Sequence, residues 1–472
     1  QLSARRPAAS CGMQINSDKD AQQAAAAADT VGPLNAYEAD RCVEDLCTFS
    51  FEQIGGRKWM RQHESLEKLN VQTHVNASQQ RDEFVMEALV LHEKIPLLIR
   101  ELVSTELWKE NVFPLVHEFL STENSIKGYM LLYHEAVLIN LLESVLYHKQ
   151  ACEAAGDMIV ELTDYCHRKL VWLLSAPPPE RSADPEELKA QLMAEGQEEY
   201  LTKQAEAIRR SCALYCLSIV RFLTDHMAEL PLSVTARLLE TYDVLMVLAP
   251  LLEARPWESQ SGGKLRRFVQ GQWGLVGEAE ARKMHRCEAQ AWLAVYNLLV
   301  DGSVRSKYAL TSFRRNQLLR LRGFLNEATV DQIPVLTELQ RAMDELQLMD
   351  QSQIPSHKPA YVLEQLPELR EILARGVVWA EVAAAQLKDA LLDSEEDKRQ
   401  QAASLASMFD MDGIDALLEG GAQPAPKLGY FVEVALRDVE GNELLKLTGE
   451  SEAGAPLEEQ MSFKLPADMK LQ

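Results

Sequence analysis

The chain has no cysteine after Cys287 and no histidine after His357. Its eight cysteines stand at 11, 42, 47, 152, 166, 212, 216 and 287, scattered through stretches of helical pattern. That distribution argues against a disulfide framework and reads as reduced cytosolic thiols. Cys212 and Cys216 lie four apart and Cys42 and Cys47 five apart, but neither pair has a nearby His or second Cys pair to complete four zinc ligands. No metal or cofactor is expected. Basic residues are also short: 48 Lys and Arg stand against 71 Asp and Glu, a formal charge of −23. Nucleic-acid binding draws its affinity from Lys and Arg contacts to phosphate, so this balance argues against a nucleic-acid partner. Uninterrupted apolar runs are missing too. The longest apolar stretch carries five ionisable or amide side chains, which would be costly in lipid, and no membrane partner is expected.

Catalytic signatures begin and fail. His134-Glu135 starts a zincin motif, but Leu138 stands where the second His belongs. Gly262-Gly263-Lys264 resembles the end of a phosphate loop, but Leu265 replaces the required Ser or Thr. Asp410-Met411-Asp412-Gly413 has its Gly two positions too early for a calcium loop. No G-x-S-x-G elbow occurs. Adjacent Cys166 and His167 on one helix point about 100° apart and cannot pair. An enzyme is not expected.

What is present is helix. Residues 131–149, LLYHEAVLINLLESVLYHK, read as one helix with apolar side chains most of the way round, the mark of an interior helix. It also carries His134, Glu135, Asn140, Glu143 and His148. Any of these that is buried needs a partner, since an unpaired buried polar group costs roughly 1–3 kcal/mol.

The pattern divides the chain into four parts. Residues 1–36 are low complexity, with Ala24–Ala28 in the middle, and predict a disordered tail. Residues 37–392 predict a helical, repeat-like body. Within it, 255–277 (RPWESQSGGKLRRFVQGQWGLVG) is an insertion without helical period, and 176–188 is a Pro-rich loop. An acidic linker spans 393–427. In the tail, 428–472, LGYFVEVALRDVEGNELLKLTG alternates apolar and polar residues about a turn at Asp438–Asn442, a hairpin signal, with Met461–Leu465 as a possible third strand. The body contains an internal echo: EAVLINLLESV (135–145) and AWLAVYNLLVDG (291–302) place Asn140 and Asn297 157 residues apart. That is about four units at the roughly 40–47-residue period of armadillo and HEAT repeats. The predicted fold is therefore all-α, an armadillo/HEAT-like helical solenoid with a short β-rich C-terminal tail.

Inner helices of a solenoid line a concave groove, where an Asn offers both a donor and an acceptor to an extended peptide. Asn140 and Asn297 are candidate partner-binding residues on that reading; the other reading has them bridge helices inside the core. Trp257 and Trp273 are candidate interface anchors, or pins that hold the insertion to the helices. The run Ser394–Asp397 reads as an exposed helix start or solvated linker.

Several segments together resemble one family, the MYND-type zinc-finger protein that serves as an assembly factor for ciliary dynein arms. They are QHESLEKLN (62–70), HEAVLINLLESVLYHK (134–149), DYCHRKL (164–170), GGKLRRF followed by QW (262–273), QAWLAVYNLL (290–299), LTSFRRNQLLRLRGFL (310–325), DQIP (331–334) and VLEQLPEL (362–369). They fall in the family's order and span roughly 70% of the chain. The resemblance implies a cytoplasmic co-chaperone adaptor for preassembly of axonemal dynein arms, needed for ciliary motility. Its implied partners are dynein heavy and intermediate chains, chaperones and other dynein assembly factors. A structural scaffold resident in the axoneme is the alternative. The sequence departs from the family in one respect. The family's finger is built from seven Cys and one His, and the residues after Cys287 supply no Cys.

Overall fold

The computed structural model describes residues 33–176, 197–261, 263–269, 271–348 and 368–401, and the strand pairing of 431–437 with 443–450. Of the predicted disordered tail 1–36, residues 1–32 lie outside the described residues and Asn35 already caps the first helix; the Pro-rich loop 176–188 beyond Ala176 and the possible third strand Met461–Leu465 lie outside them too. The chain divides into two compact units, Gln1–Leu405 and Ala406–Gln472.

The first unit is mostly helical, as predicted. It opens with α1 (Ala36–Glu44), α2 (Arg57–Ser78), α3 (Phe84–Leu91), α4 (Ile95–Asn111), α5 (Phe113–Glu123) and α6 (Ser125–Val145). Next come α7 (Lys149–Ala154), α8 (Met158–Ser175), α9 (Gln197–Asp225), α10 (Leu232–Ala236) and α11 (Val244–Ala254). After three strands it continues through α12 (Glu278–Ala281), α13 (Arg286–Val300), α14 (Gly302–Arg305), α15 (Ser312–Leu321), α16 (Glu327–Gln332), α17 (Leu336–Leu348), α18 (Leu369–Ala374) and α19 (Trp379–Lys388).

Local chemistry places the boundaries. Asn35, Asn124, Asp301, Thr311 and Asn326 each accept a backbone N–H of the helix they precede, filling one of the donors a helix start leaves open. Pro96 and Pro114 sit in the first turns of α4 and α5, where the missing N–H costs nothing. The stretch 131–149 is not one helix. Helix α6 ends at Val145, and His148, in extended conformation, stands at the N-cap of α7. The apolar pattern ran through this break because Leu146 is buried in the turn itself.

Helix α6 is the axis of the unit. It packs against α2, α4, α5 and α9, and Leu131, Leu132, Leu138, Ile139, Leu141 and Leu142 are all essentially inaccessible. Full burial of each such side chain contributes about 1.5–3 kcal/mol, which explains an apolar pattern on every face.

Two findings differ from the expected solenoid. The insertion at 255–277 is ordered as a three-stranded antiparallel meander, β1 (Glu258–Ser261), β2 (Lys264–Val269) and β3 (Gln272–Leu275). Glu258 pairs with Arg267, and Phe268 with Trp273. Alternation over so few residues, broken by two arginines, hid the strands. Arg267 locks the sheet to the following turn: its guanidinium donates to Glu258 Oε1 (2.8 Å), Glu280 O (2.7 Å) and Lys283 O (2.8 Å).

The chain also returns on itself. Helix α18 packs on α4, and α19 on α5 and the 3₁₀ turn Phe51–Gln53. In a linear repeat array each unit touches only its neighbours, so this return is an added closure. Its contacts run past Leu392: Lys127 Nζ meets Ala390 O (2.8 Å) and Asp393 Oδ1 (2.6 Å), and Asn124 donates to Asp393 Oδ2 (2.6 Å). Beyond it, Ser394 caps a helical turn at 395–401, its Oγ accepting from Asp397 N–H (3.2 Å). Gly55, at φ +85°, makes the turn beneath the closure, and a Cβ there would lie 3.0 Å from Leu391 Cδ2. In the second unit, β4 (Phe431–Arg437) and β5 (Glu443–Glu450) form the antiparallel hairpin that the alternation predicted.

One carboxylate in the core sets a pH dependence. Glu101 on α4 is 3% exposed, and its Oε1 has no hydrogen-bond partner. Burial pushes its pKa up to about 7, against a weaker pull from the Phe49 backbone. A carboxyl whose folded pKa is raised stabilises less as pH climbs from the ordinary carboxylate range to about 7, because the unfolded chain ionises first. A rise from 4.5 to about 7 corresponds to roughly 3 kcal/mol. Glu101→Gln is therefore expected to raise stability at pH 8 by up to about that amount and to change it little at pH 5. Urea unfolding of both proteins at the two pH values checks this; an equal effect at both would refute it.

Candidate functional site

A layer of charge crosses the interior at the level of Glu135. Helix α6 presents that carboxylate fully buried, and α4 and α8 supply its partners. Lys109 Nζ lies 2.6 Å from Oε2 and Lys169 Nζ 2.5 Å from Oε1, and the Tyr165 hydroxyl donates to Oε1 at 2.8 Å. Lys169 also reaches Glu106 Oε1 at 3.2 Å. Arg168 donates to Glu106 Oε2 through Nε (3.1 Å) and Nη2 (2.6 Å), and Arg370 of α18 reaches the same oxygen at 3.2 Å. Arg370 also pairs with Glu110 at the surface.

The electrostatics follow from the geometry. Burial alone would raise the pKa of Glu135, but the ammonium groups of Lys109 and Lys169 outweigh it and hold the carboxyl well below the usual range. Burial likewise works against the charge on Lys169, and Glu135 and Glu106 reverse that, so its pKa is raised. Glu135, Glu106, Arg168 and Lys169 therefore stay charged near neutrality, and none of the four is poised to exchange a proton. This is the arrangement of a structural ion network, not of an acid–base pair.

A histidine pair adjoins the layer. His63 of α2 and His134 of α6 share one hydrogen bond, Nδ1 to Nδ1 at 2.9 Å, so one ring donates and the other accepts. The Trp59 ring lies 4.4 Å from the His134 ring and stacks on His63 at 5.6 Å. Burial, then the facing His63, pushes the His134 pKa well down. The His134 imidazole is therefore held neutral in the folded chain.

The four candidates read from the sequence fall in three separate places. Asn140 is half-buried on the α2–α6 seam beside the half-buried His74, whose ring meets Ser144 Oγ (3.2 Å). Asn297 of α13 donates to Thr224 Oγ1 (3.0 Å) and Asp225 Oδ1 (2.5 Å) of α9. The Asn297 amide ties α13 to α9. Trp257 is fully buried and stacks on His285 at 6.1 Å. Trp273 is half-buried, edge-on to Phe268 at 5.4 Å, with the Arg210 guanidinium 5.6 Å from its ring. The charged layer itself was not predicted. Its one legible signal was a glutamate inside an all-apolar helix. Its partners lie on α4 and α8, 26 to 34 residues from Glu135, and on α18, which no local pattern relates.

Segments 62–70, 134–149 and 164–170, which carry the family resemblance, meet here: His63, His134 with Glu135, and Tyr165 with Arg168 and Lys169. The chain is 30% identical over 339 residues to the zinc finger MYND domain-containing protein 10 homolog of Drosophila melanogaster, a match that covers 71% of this chain and 73% of the relative. It belongs to the zinc finger MYND domain-containing protein 10 family. No family model matches the chain, and no solved structure matches it.

The family's name raises the question of zinc. Cys166 and Cys216 are in contact across α8 and α9 with Cys212 nearby, all three inaccessible. Burial pushes the Cys212 thiol up to about 12 and Cys216 higher than usual, the opposite of what a thiolate ligand needs. Among the described residues no group of three or more His, Cys, Asp or Glu is arranged to hold a metal ion. Family membership therefore rests on the helical body, and these residues do not fit zinc. Among the described residues, too, no helix is long and apolar enough to cross a membrane.

The layer predicts an asymmetric mutational response. Glu135→Ala leaves two buried ammonium groups without their shared anion and is expected to cost about 3–5 kcal/mol. Adding Lys109→Met and Lys169→Met to Glu135→Leu removes every unpaired charge at that point and is expected to recover most of the loss. Denaturant midpoints of the two variants decide it, and equal destabilisation would rule out the charge-pair account.

Proposed function

We propose that the chain is a cytoplasmic assembly factor, a co-chaperone adaptor for preassembly of axonemal dynein arms and so for ciliary motility. The observation that carries this reading is the 30% identity over 73% of a zinc finger MYND domain-containing protein 10 homolog, together with the segments whose resemblance implies that role. The proposed partners are dynein heavy and intermediate chains, chaperones and other assembly factors. An armadillo-like stacking of the helices, closed by the return of 369–393, is the scaffold in this reading.

The proposed mode of action is non-enzymatic. The one dense cluster of ionisable groups described above is internally neutralised, its carboxylates already bonded to lysine, arginine and tyrosine. A rigid body of this kind acts by presenting surfaces. Asn297, with its amide engaged between α13 and α9, serves it as a tie that holds the surfaces in place.

A structural part resident in the axoneme is the second reading, supported equally by a rigid helical body. Loss of the gene in a ciliated cell separates the two. The proposal expects cilia of normal length that lack dynein arms, with heavy chains depleted in the cytoplasm and this chain absent from purified axonemes. Arms present after gene loss would sink it, and co-purification with axonemes would favour the resident part.

A further inference from the structure

The closing segment 368–393 is held differently from the rest of the body. Its buried apolar side chains are few, Leu369, Val382, Ala383, Ala390 and Leu391, and Leu373, Val377, Trp379 and Leu387 pack only partly buried against the core, Trp379 edge-on to Phe51 at 5.0 Å. Its specific ties are polar. Glu161 Oε1 accepts the Leu369 N–H (3.0 Å), and Arg370 spans Glu106 and Glu110. The Gln386 amide accepts from Trp108 Nε1 (3.1 Å) and donates to Phe51 O. Asp393 receives Lys127. Meanwhile Ile372, Val378 and Leu392 are each more than half exposed. The seam with α4 is also incompletely filled. A shallow cleft of about 350 Å³ lies there, lined by Leu107, Asn111, Glu368, Arg370, Glu371, Ala374 and Trp379. Few buried apolar contacts and an open seam are the marks of a unit that opens before the rest of a fold.

The face beneath is well defined. It carries carboxylates at Glu106, Glu110 and Glu161, beside the Trp108 indole, whose N–H points to the closing segment. Acidic groups around an aromatic floor suit an amphipathic helix that carries an arginine next to an apolar anchor, which is what Leu369-Arg370 supplies in cis.

We propose that residues 368–393 form a displaceable clasp, and that the α4–α8 face it covers is a docking surface for an arginine-bearing amphipathic helix of a partner protein. The clasp is the internal competitor: a partner binds only by meeting the same carboxylates and displacing it. This goes beyond the assembly-factor reading and stands or falls independently of which clients the chain has.

Hydrogen exchange on the wild-type full chain tests the clasp without any substitution. Amides of α18 and α19 are expected to exchange about 100-fold faster than those of α6. Equal protection would show that the segment opens only with global unfolding and would overturn the proposal. A labelled peptide of residues 368–394 tests the surface. Weakening the clasp in cis with Arg370→Ala and Gln386→Ala is expected to tighten peptide binding to the full chain by about tenfold. In the cis-weakened chain, which lacks its own Arg370, Glu110→Arg is expected to weaken the wild-type peptide, and a peptide carrying Arg370→Glu to restore binding. Unchanged affinity in the cis variants, or failure of the charge swap, would overturn the docking surface.

Discussion

The fold depends on the neutralisation of Glu135. A carboxylate in the middle of the most buried helix is tolerable only with counter-charges delivered from both sides, and α4 and α8 deliver Lys109 and Lys169 within 2.6 Å. This fixes the rotation of all three helices about their axes. Leucine faces slide past one another at low cost, but a buried ion pair displaced by one helical position strands three charges. Tyr165 and Arg168 on the same turns of α8 extend the constraint, and Arg370 carries it to α18. The layer thus specifies register where apolar packing alone would permit several.

The same constraint joins the ends of the body. Glu106 accepts Lys169 and Arg168 from α8 and Arg370 from α18, so the packing of α4 against α8 and the seating of the closing segment share one carboxylate. A change at the seam is felt in the core through that oxygen pair. The Lys127–Asp393 pair and the Gln386 amide repeat the pattern, with long-range closure made by polar ties over a modest apolar contact. The closure adds contacts that an open array, whose units touch only their neighbours, does not have.

Much of the helical architecture was legible because the signals are local. Pro96 and Thr311 mark helix starts that the spacing also shows, whereas Asn35, Pro114 and Asn326 start helices where the spacing alone shows no boundary. The strands at 258–275 were hidden because Arg266 and Arg267 are buried by tertiary ties that no period-2 pattern anticipates. The break at 146–148 was hidden because Leu146 is apolar on both sides of it. Of the candidate residues, Asn140 and Asn297 could be recognised as polar groups in apolar helices. Which side of the helix they served depended on His74, Thr224 and Asp225, which lie on other helices 66 to 73 residues away in sequence.

By itself the sequence determined a mostly helical body, a central helix buried on all sides, a C-terminal hairpin and a family. Each of these rests on periodicity, capping or direct resemblance, which are properties of neighbouring residues. Only the tertiary structure decided which lysines neutralise Glu135, that His63 and His134 share a hydrogen bond, and that residues 369–393 return to α4. Those pairings cross 26 to about 280 residues of chain, and the energy that selects them arises only when water has been excluded from between the partners.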